Sequence, residues 1–385
     1  MVRRVITIRS RAIGHQRIDD EKERLMSQSG STDEIWILGA TGRIGRAVAA
    51  RLAGTDASPV LVGRDPDRLA AVAAGTGDRI GILVARSPEQ AAAEITRRQP
   101  AVVINTIGPF ARTAVPIARA CLPGRHYVDL GLDIVAVSAL LGLHEEAVTA
   151  GSTLITGAGF AVLATEAVVA GLCQGQQQTP STVRVDSLPS AAVKAGTLGQ
   201  ALAASIVEGL SAGGRRYEGG HLVRARLGGD PQSVPLPDGQ VLRVGNVPHG
   251  DLHAAWIASG APSVTATSSE APAGLAARAV LPLARALVSV PPLRRFATRR
   301  LAAVRLKPLP RPRQHSWGHA VISWPDGSTR EGWLRAGDAN EYTAAVAAEV
   351  ATRLARGDAL PGAYTPAAAF GPELAASVGA GLILD

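Results

Sequence analysis

The pattern most able to do chemistry in this chain is a row of three glycines spaced three residues apart. It lies in Gly39-Ala40-Thr41-Gly42-Arg43-Ile44-Gly45, after the apolar residues 35–38 and before an amphipathic run. A strand, a glycine turn and a helix start, in this order, present backbone N–H groups to a dinucleotide pyrophosphate. Gly39 would allow a sharp turn, Gly42 the close approach of a phosphate, and Gly45 the close packing of the helix. The alternative is a plain strand-to-helix turn, because glycines also mark turns.

A second candidate stands at the end of the next apolar run. Residues 59–63 read as a strand, and Arg64 follows at the position where an acidic residue would hold the ribose 2′-hydroxyl of NAD. An arginine suits the 2′-phosphate of NADP by charge and by paired hydrogen bonds. Asp65 is predicted to cap the helix that begins at Pro66. We therefore predict NADP as the cofactor, unless Arg64 is one more surface arginine in an arginine-rich chain.

The candidates for moving a proton lie on the predicted strand 125–130, where His126, Tyr127 and Asp129 occur together. Alternate residues of a strand share one face, so Tyr127 and Asp129 would point the same way, into a cleft. This assigns them a catalytic role. The alternative is structural: Tyr127 fills the core, and Asp129 closes a turn before Gly131.

Lys194 is the third predicted catalytic residue, because it is a lone lysine just before Gly196 and Thr197 at an apparent helix start. It could contact a substrate carboxylate, or it could be a solvated surface lysine. Thr197 is interpreted as the N-cap of the following helix.

Several other chemistries are disfavoured by the residues present. No lysine has a tyrosine four residues before it, which argues against short-chain dehydrogenase chemistry, and no Gly-Lys pair of a P-loop occurs. Two histidine pairs, His249 with His253 and His315 with His319, have the helical spacing of a metal site. Because the first spans Gly250 and the second flanks a predicted strand start, no metal is predicted.

The charge of this chain is concentrated in one segment. The 385 residues carry a net charge of +8, yet residues 271–313 alone hold ten arginines and lysines and no acid. This segment is either a solvated helical face or the site of an anionic partner, such as a phosphopantetheine carrier, a coenzyme A tail or an acidic lipid surface. Nucleic acid is not predicted, because no aromatic platform accompanies the arginines.

The location of the protein is predicted from two cysteines and from the absence of an apolar run. Cys121 and Cys173 lie in apolar helical contexts and are expected to be buried thiols in a reducing compartment. The N-terminal residues lack the apolar core of a signal peptide, and no uncharged apolar stretch is long enough to span a bilayer. We therefore expect a cytoplasmic protein without a transmembrane span.

The order of predicted elements indicates the fold. From residue 33 to 159, continuous apolar strands alternate with helices, which is typical of a Rossmann-type doubly wound parallel sheet covered on both faces. Residues 160–340 mix strands, turns and helices and are predicted to form a second, α+β domain for substrate binding and dimerisation. Residues 1–32 are predicted to be a disordered leader, and residues 341–385 a helix and tail that return to the nucleotide domain.

Three stretches together resemble a known family, the saccharopine dehydrogenase-like oxidoreductases, and within it the bacterial branch of trans-acting enoyl reductase-like proteins. They are the glycine turn with Gly63-Arg64, the run from Val103 to Phe110 with His126-Tyr127-Val128-Asp129, and Gly157-Ala158-Gly159-Phe160 with Ala195-Gly196-Thr197. The resemblance implies NADP(H) in a Rossmann domain and reduction of a C=N or an activated C=C bond in a cleft against the second domain. By the same resemblance, the nicotinamide side would be lined by Asn105, Gly108, Pro109 and Phe110.

The chain departs from the family pattern where substrate is expected. Leu130-Gly131-Leu132-Asp133 replaces the usual Thr-Gly-Glu, and Ala161-Val162-Leu163-Ala164 replaces the usual Asp and Pro. The substrate is therefore expected to be either small or carrier-bound, without further definition. Two alternatives to this reductase stay open, a non-catalytic NADP(H)-binding sensor or scaffold and a membrane-surface lipid reductase. A homodimer is expected.

Overall fold

A computed structural model describes residues 32–77, 79–272 and 274–385 of the chain. Apart from Thr32, the predicted leader 1–32 lies outside the described residues. In the part that is described, no helix combines the length and the apolar content needed to cross a bilayer.

The first half of the chain alternates strictly between strands and helices. Its strands are β1 (Thr32–Leu38), β2 (Ser58–Gly63), β3 (Gly81–Val84), β4 (Pro100–Asn105), β5 (His126–Asp129) and β6 (Thr153–Ile155). Its helices are α1 (Arg43–Leu52), α2 (Pro66–Ala74), α3 (Pro88–Arg98), α4 (Phe110–Ala120), α5 (Ile134–Leu141) and α6 (His144–Ala150).

The second half carries a larger and more varied set of elements. Its strands are β7 (Thr182–Leu188), β8 (Gly196–Thr197), β9 (Gly214–Glu218), β10 (His221–Ala225), β11 (Gln232–Pro235), β12 (Val241–Asn246), β13 (Ser263–Ser268), β14 (Arg305–Leu306), β15 (Ser316–Ser323), β16 (Thr329–Ala336), β17 (Gly362–Tyr364) and β18 (Gly381–Leu384). Its helices are α7 (Phe160–Cys173), α8 (Gln200–Ala212), α9 (Asp251–Ser259), α10 (Leu275–Ser289), α11 (Pro291–Ala302), α12 (Ala339–Ala355), α13 (Pro366–Phe370) and α14 (Glu373–Ser377).

The first sheet has seven parallel strands in the order β17-β6-β5-β4-β1-β2-β3. Along β1, Ile35 and Ile37 pack in one apolar cluster, while Trp36 and Leu38 pack in another on the opposite face. Burial on both faces explains why these strands are continuously apolar. The predicted doubly wound fold is confirmed, and its strand order reverses at β1 and β4, where such sheets bind ligands.

The second sheet has nine strands, with the path β10-β9-β13-β7-β15-β16-β18 and with β12 and β11 attached through β13. The predicted hairpin across Pro325-Asp326-Gly327 is present as β15 and β16, which pair along their whole length. Helix α7 packs between this sheet and the rest of the molecule, and ten of its residues are buried. The fold is therefore a Rossmann-type sheet with a second α+β unit, as expected.

The last 47 residues contact both sheets. Helix α12 packs on α1 of the first unit, and β17 extends the first sheet beside β6. Strand β18 instead pairs with β16 of the second sheet. Glu166 of α7 fastens this segment, because its carboxylate accepts hydrogen bonds from Thr365 and from the backbone N–H groups of Ala367 and Ala368. The predicted domain boundaries stay predictions.

Candidate functional site

The glycine turn has the geometry that its spacing predicts. Gly39 has φ +75°, a left-handed conformation that suits glycine, and the N–H of Gly42 donates to its carbonyl oxygen at 2.9 Å. A Cβ atom on Gly45 would lie 2.6 Å from that same oxygen, so the close packing at Gly45 is against the turn itself. The turn is therefore built for residues without side chains.

The start of α1 is open to solvent. Gly42 is its N-cap, contributes no side-chain hydrogen bond and is exposed together with Arg43. A Cβ atom on Gly42 would approach only the oxygen of Gly39, at 3.1 Å. The first N–H groups of a helix have no acceptors within it, so these groups are available to an anion. Ala40 is buried below the turn, and Ile44 is half-buried behind it.

The end of β2 adjoins the turn. The N–H groups of Gly39 and Ala40 both donate to the oxygen of Val62, at 3.0 and 3.3 Å. Arg64 follows two residues later and is exposed, and Asp65 caps α2 through the N–H of Arg68, as predicted. The arginine is thus at the strand end where the ribose of a bound dinucleotide would lie.

Sequence reasoning missed two further arginines here. Arg46 of α1 and Arg68 of α2 line an open cleft of about 390 Å³ that also includes Thr41 of the glycine turn. Both are exposed. Helical periodicity could have identified them. Arg46 lies one helical turn into α1, which begins at the glycine turn, and Arg68 lies one helical turn into α2, which begins just after Arg64. Two guanidinium groups therefore line the cleft beside the glycine turn.

The loop after β4 forms the other wall of the crevice. Thr106 fastens it to the end of β1, since its hydroxyl donates to the oxygen of Leu38 at 2.7 Å. The hydroxyl of Thr113 donates to the oxygen of Ile107 at 2.6 Å, which holds the middle of the loop. Gly108, Pro109 and Phe110, which were predicted to line the nicotinamide side, are half-buried.

A buried polar chain lies beneath this loop. The amide oxygen of Asn105 accepts from the N–H of Ile107 at 2.9 Å, and its nitrogen donates to the hydroxyl of Tyr127 at 3.0 Å. Tyr127 in turn donates to Asp129 at 3.0 Å. All three of these side chains are fully buried. Asn105 therefore supports the loop from below.

Asp129 is the last member of this hydrogen-bonded series, and it also binds the neighbouring loops. Its second oxygen accepts from the N–H of Gly131 at 2.8 Å, from the hydroxyl of Thr156 at 2.8 Å and from the N–H of Gly157 at 3.3 Å. One carboxylate thus joins the ends of β5 and β6. We call Asn105, Tyr127 and Asp129 with these partners the strand-end network.

The shared face of Tyr127 and Asp129 is confirmed, but that face is covered. Burial raises the pKa of Tyr127 well above its usual value, and the nearby Asp129 raises it further. Burial also raises the pKa of Asp129, while its hydrogen bonds act in the opposite direction. These contacts match the structural alternative, in which Tyr127 fills the core and Asp129 closes the turn before Gly131. The catalytic role of the pair stays a prediction.

His126 is engaged with the neighbouring strand β6 and not with the strand-end network. Its Nδ1 accepts from the N–H of Thr153 at 3.1 Å, and burial lowers its pKa. A neutral imidazole in this contact serves to hold β5 beside β6.

Lys194 is exposed and lies in the segment before β8. It lines an open cavity of about 630 Å³ together with Arg43, Ile44 and the start of α12. The residues that line this cavity with it include neither Tyr127 nor Pro109. The interpretation of Thr197 as an N-cap is wrong, because Thr197 pairs with Arg305 as part of β8 and the cap of α8 is Gly199.

A loop of the second unit reaches the crevice and was not identified from the sequence. The N–H of Gly250 donates to the oxygen of Leu132 at 2.6 Å, and the N–H of Ile134 donates to that of Pro248 at 3.2 Å. His249 therefore lies against the loop that follows β5. No local pattern marks this contact, because the two loops are more than a hundred residues apart in the chain.

Two titratable groups at this contact have unsatisfied polar atoms: His249, which is half-buried, and Asp251, which is buried at the start of α9. Within the described part of the chain, Nδ1 of His249 and Oδ2 of Asp251 have no hydrogen-bond partner. Burial lowers the pKa of His249 to about 4 and raises that of Asp251 to about 7. Both groups therefore favour their neutral forms over much of the acidic range. We call them the α9 pair.

A groove of about 460 Å³ leads away from the loop after β4. Its walls are the start of α4, one side of α8 and the basic helix α11, which contributes Arg294, Arg295 and Arg299. Arg112 and Glu208 face each other across it at 3.8 Å.

Other chemical signatures carry little weight here. In the residues described, no group of three or more His, Cys, Asp or Glu could hold a metal ion. His253 hydrogen-bonds to Tyr217 at 2.7 Å, so it does not act with His249. Residues 209–213 have the G-x-S-x-G spacing but lie at the end of α8, not on a strand-to-helix turn. Both cysteines are free; Cys121 is buried as predicted, whereas Cys173 is only half-buried.

Comparisons with known proteins agree with this architecture. The chain superposes on saccharopine dehydrogenase (L-Glu forming) from Saccharomyces cerevisiae with a TM-score of 0.56 and 12% identity, covering 91% of this chain and 99% of that one. The resemblance predicted from the motifs is confirmed, and the chain has the saccharopine dehydrogenase-like fold. No protein-family model matches it.

The chain also has mycobacterial sequence relatives. The chain is 31% identical over 146 residues to the trans-acting enoyl reductase of Mycobacterium ulcerans, which is 35% of this chain and 34% of the relative. It is 30% identical over 142 residues to the trans-acting enoyl reductase of Mycobacterium tuberculosis H37Rv, with the same shares. The match thus spans about a third of the length of each relative.

Proposed function

We propose that the protein is an NADPH-dependent reductase that transfers a hydride to a C=N or activated C=C bond of a small or carrier-bound substrate. The observation that carries this proposal is the open glycine turn at the start of α1, tied by hydrogen bonds to the end of β2 next to Arg64. When bound, NADPH would supply the hydride.

The residues of the turn fit a pyrophosphate. Gly39 and Gly45 leave no room for side chains, and Gly42 leaves the helix N–H groups uncovered. Arg64, Arg46 and Arg68 supply the charge that a 2′-phosphate requires. A cofactor lying from this cleft toward Pro109 would follow the carboxyl ends of β2, β1 and β4, the usual crevice of such sheets.

The protein has little acid–base work to do in this reaction. A protonated imine already carries its positive charge, so holding substrate and cofactor in near-attack geometry supplies most of the acceleration. In this proposal the strand-end network positions residues 106–110 against the nicotinamide. The predicted proton transfer by Tyr127 or Asp129 would have to pass through that network, because neither side chain is exposed.

The carrier-bound form of the substrate is supported by the arginines of α11 in the groove at Pro109. A phosphopantetheine arm has an anionic phosphate at one end and its acyl thioester at the other. Arg294, Arg295 and Arg299 could bind the phosphate while the thioester end reaches Pro109. The names of the mycobacterial relatives are consistent with such an enoyl substrate.

Arg64→Asp tests the choice of cofactor. We expect the Kd for NADPH to rise about tenfold or more, because a charge-assisted pair is lost, while the Kd for NADH changes little. Fluorescence titration of the full chain with each coenzyme measures both. Arg356→Asp, an exposed arginine after α12, is the matched control. An equal loss for both coenzymes would remove Arg64 from its assigned role.

A non-catalytic NADP(H) sensor is the second candidate. It is favoured by the saturation of the strand-end network, which leaves no exposed acid or base there. Turnover separates the two functions. A reductase consumes NADPH when a panel of imines and enoyl thioesters is supplied, whereas a sensor binds NADPH without any substrate-dependent consumption.

A further inference from the structure

Exposed apolar side chains are concentrated on two consecutive helices. On α10, Val280, Leu283 and Leu287 are 60%, 65% and 50% exposed, and on α11 Phe296 is 59% exposed. The spacings of three and four residues on α10 place its three side chains on one side of that helix. Val290 between the helices is also exposed. Val280, Leu283 and Leu287 thus form an uncovered apolar row along α10.

The row is unusual within this molecule. Eight of the nineteen large apolar side chains that are exposed in the described part of the chain lie between residues 280 and 309. The neighbouring helix α8, which packs against both α10 and α11, adds Leu202 and Ile206, spaced one turn apart. Large apolar side chains that are exposed on helices packed against one another are typical of an interaction site. We call these side chains of α8, α10 and α11 the three-helix face.

Positive charge surrounds the same surface. Residues 271–313 contain ten basic residues and no acid, and Arg295, Arg299, Arg300 and Arg305 are exposed. Among the described residues, none of the ion pairs of the molecule involves an arginine between 280 and 311. The guanidinium of Arg300 instead lies 5.4 Å from the ring centre of Phe296. Arg295, Arg299, Arg300 and Arg305 are therefore not neutralised by a salt bridge within the described part of the chain.

We propose that the three-helix face docks on the surface of an anionic lipid bilayer. Helices that lie in a membrane interface combine leucine, valine and phenylalanine on one side with arginines that reach anionic headgroups. A second copy of the chain fits less well, because a two-fold contact would bring the same acid-free segment of each copy together. Charge complementarity thus favours an anionic surface over self-association.

Docking of this face would place the groove at Pro109 close to the bilayer. Arg294 and Thr298 line that groove and belong to α11, whose exposed Phe296 is part of the face. A substrate with an acyl tail in the membrane could then enter the groove from the lipid side. The docking itself does not depend on cofactor binding or on the proposed reductase activity.

Flotation of the full chain with lipid vesicles tests the proposal. We expect the protein to float with vesicles of equal parts phosphatidylglycerol and phosphatidylcholine at low salt, and to float poorly with phosphatidylcholine alone. Leu283→Glu with Leu287→Glu should lower the partition coefficient more than about tenfold, because two apolar groups no longer enter the interface. Arg300→Glu with Arg305→Glu should lower it by roughly fivefold per arginine removed.

Controls separate the face from general effects. Leu360→Glu alters a side chain that is 77% exposed and lies outside the face, so it should float like the parent protein. NADPH binding should be unchanged in every variant, which separates failure of this proposal from failure of the proposed function.

Three results would overturn the proposal. The first is no flotation with anionic vesicles at low salt. The second is flotation that the paired leucine substitutions leave unchanged. The third is a concentration-dependent dimer, seen by analytical ultracentrifugation, that the same substitutions abolish while vesicles do not compete with it; this would assign the face to a second copy of the chain.

Discussion

The strand-end network and the α9 pair lie on either side of one loop, residues 131–134, and they treat buried polar groups in opposite ways. In the network, Asp129 alone accepts hydrogen bonds from Tyr127, Gly131, Thr156 and Gly157. In the pair, His249 and Asp251 each keep a buried atom without a partner among the described residues. Saturated groups stabilise a structure, whereas unsaturated ones cost stability.

This difference in hydrogen bonding bears on which residues could take part in the chemistry. Tyr127 and Asp129 have the residue types of an acid and a base, but both are already hydrogen-bonded within the network that holds the loops of the crevice. His249 and Asp251 have spare capacity at the same edge of the sheet. We therefore propose positioning as the function of the network, and the catalytic role of Tyr127 and Asp129 stays a prediction.

The largest expected effect comes from removing the carboxylate of the network. Asp129→Ala would leave four buried donors without their acceptor, which we expect to lower the free energy of unfolding by about 3–5 kcal/mol. Urea denaturation measures it. Asp358→Ala, at an exposed position after α12, should change it by less than about 0.5 kcal/mol. If Asp129→Ala kept its stability and lost only turnover, Asp129 would be catalytic and the comparison would fail.

An intermediate effect on the free energy of unfolding is expected from Asp251 of the α9 pair, and it depends on pH. Burial raises the pKa of Asp251 from 3.8 to about 7, so between these values the folded state binds more protons than the unfolded state. The contribution of Asp251 to the free energy of unfolding therefore falls as pH rises through this window. Asp251→Asn removes that loss and should be more stable than the parent at pH 8 by roughly 1–3 kcal/mol.

The control for this experiment is to follow, across pH, the difference in the free energy of unfolding between Asp251→Asn and the parent protein. His249 acts in the opposite direction, since burial lowers its pKa to about 4 and its contribution rises with pH up to its unfolded value. Because His249 is present in both proteins, its contribution cancels in the difference. A difference that stays constant from pH 4 to pH 8 would show that Asp251 is not held neutral.

The smallest effect is expected for the middle of the network. Tyr127→Phe keeps the ring in the core and removes one hydrogen bond to Asp129 and one from Asn105. We expect a loss of about 1 kcal/mol in the free energy of unfolding, because Asp129 keeps its other donors. In the proposed reductase, KM for NADPH should shift and the pH profile of kcat should not. A changed pH profile would give Tyr127 a part in proton transfer.

Sequence reasoning succeeded where the controlling contacts are local. The left-handed turn at Gly39, the cap at Asp65 and the shared face of Tyr127 and Asp129 depend on residues a few positions apart, and the structure bears out all three. It failed where distant residues decide. Thr197 became a strand residue because Arg305 pairs with it, and the α9 pair reaches the crevice only through tertiary contacts.

Periodicity in the sequence also could not predict which residues are buried. A parallel strand is apolar on both faces, so the pattern of β5 does not tell which side is covered by helices and which end opens to ligand. The basic segment shows the converse case. Its concentration of positive charge is visible in the sequence, but only the exposed fractions of Leu283 and Phe296 show that apolar side chains are uncovered there.

Calorimetric titration of the full chain with NADPH and with NADH tests the central claim most directly. The account predicts one site per chain and a Kd for NADPH about tenfold or more below that for NADH, because arginines surround the end of β2 beside an open helix start. Absence of binding heat for both coenzymes, together with no protection of the protein against thermal unfolding by either, would contradict it.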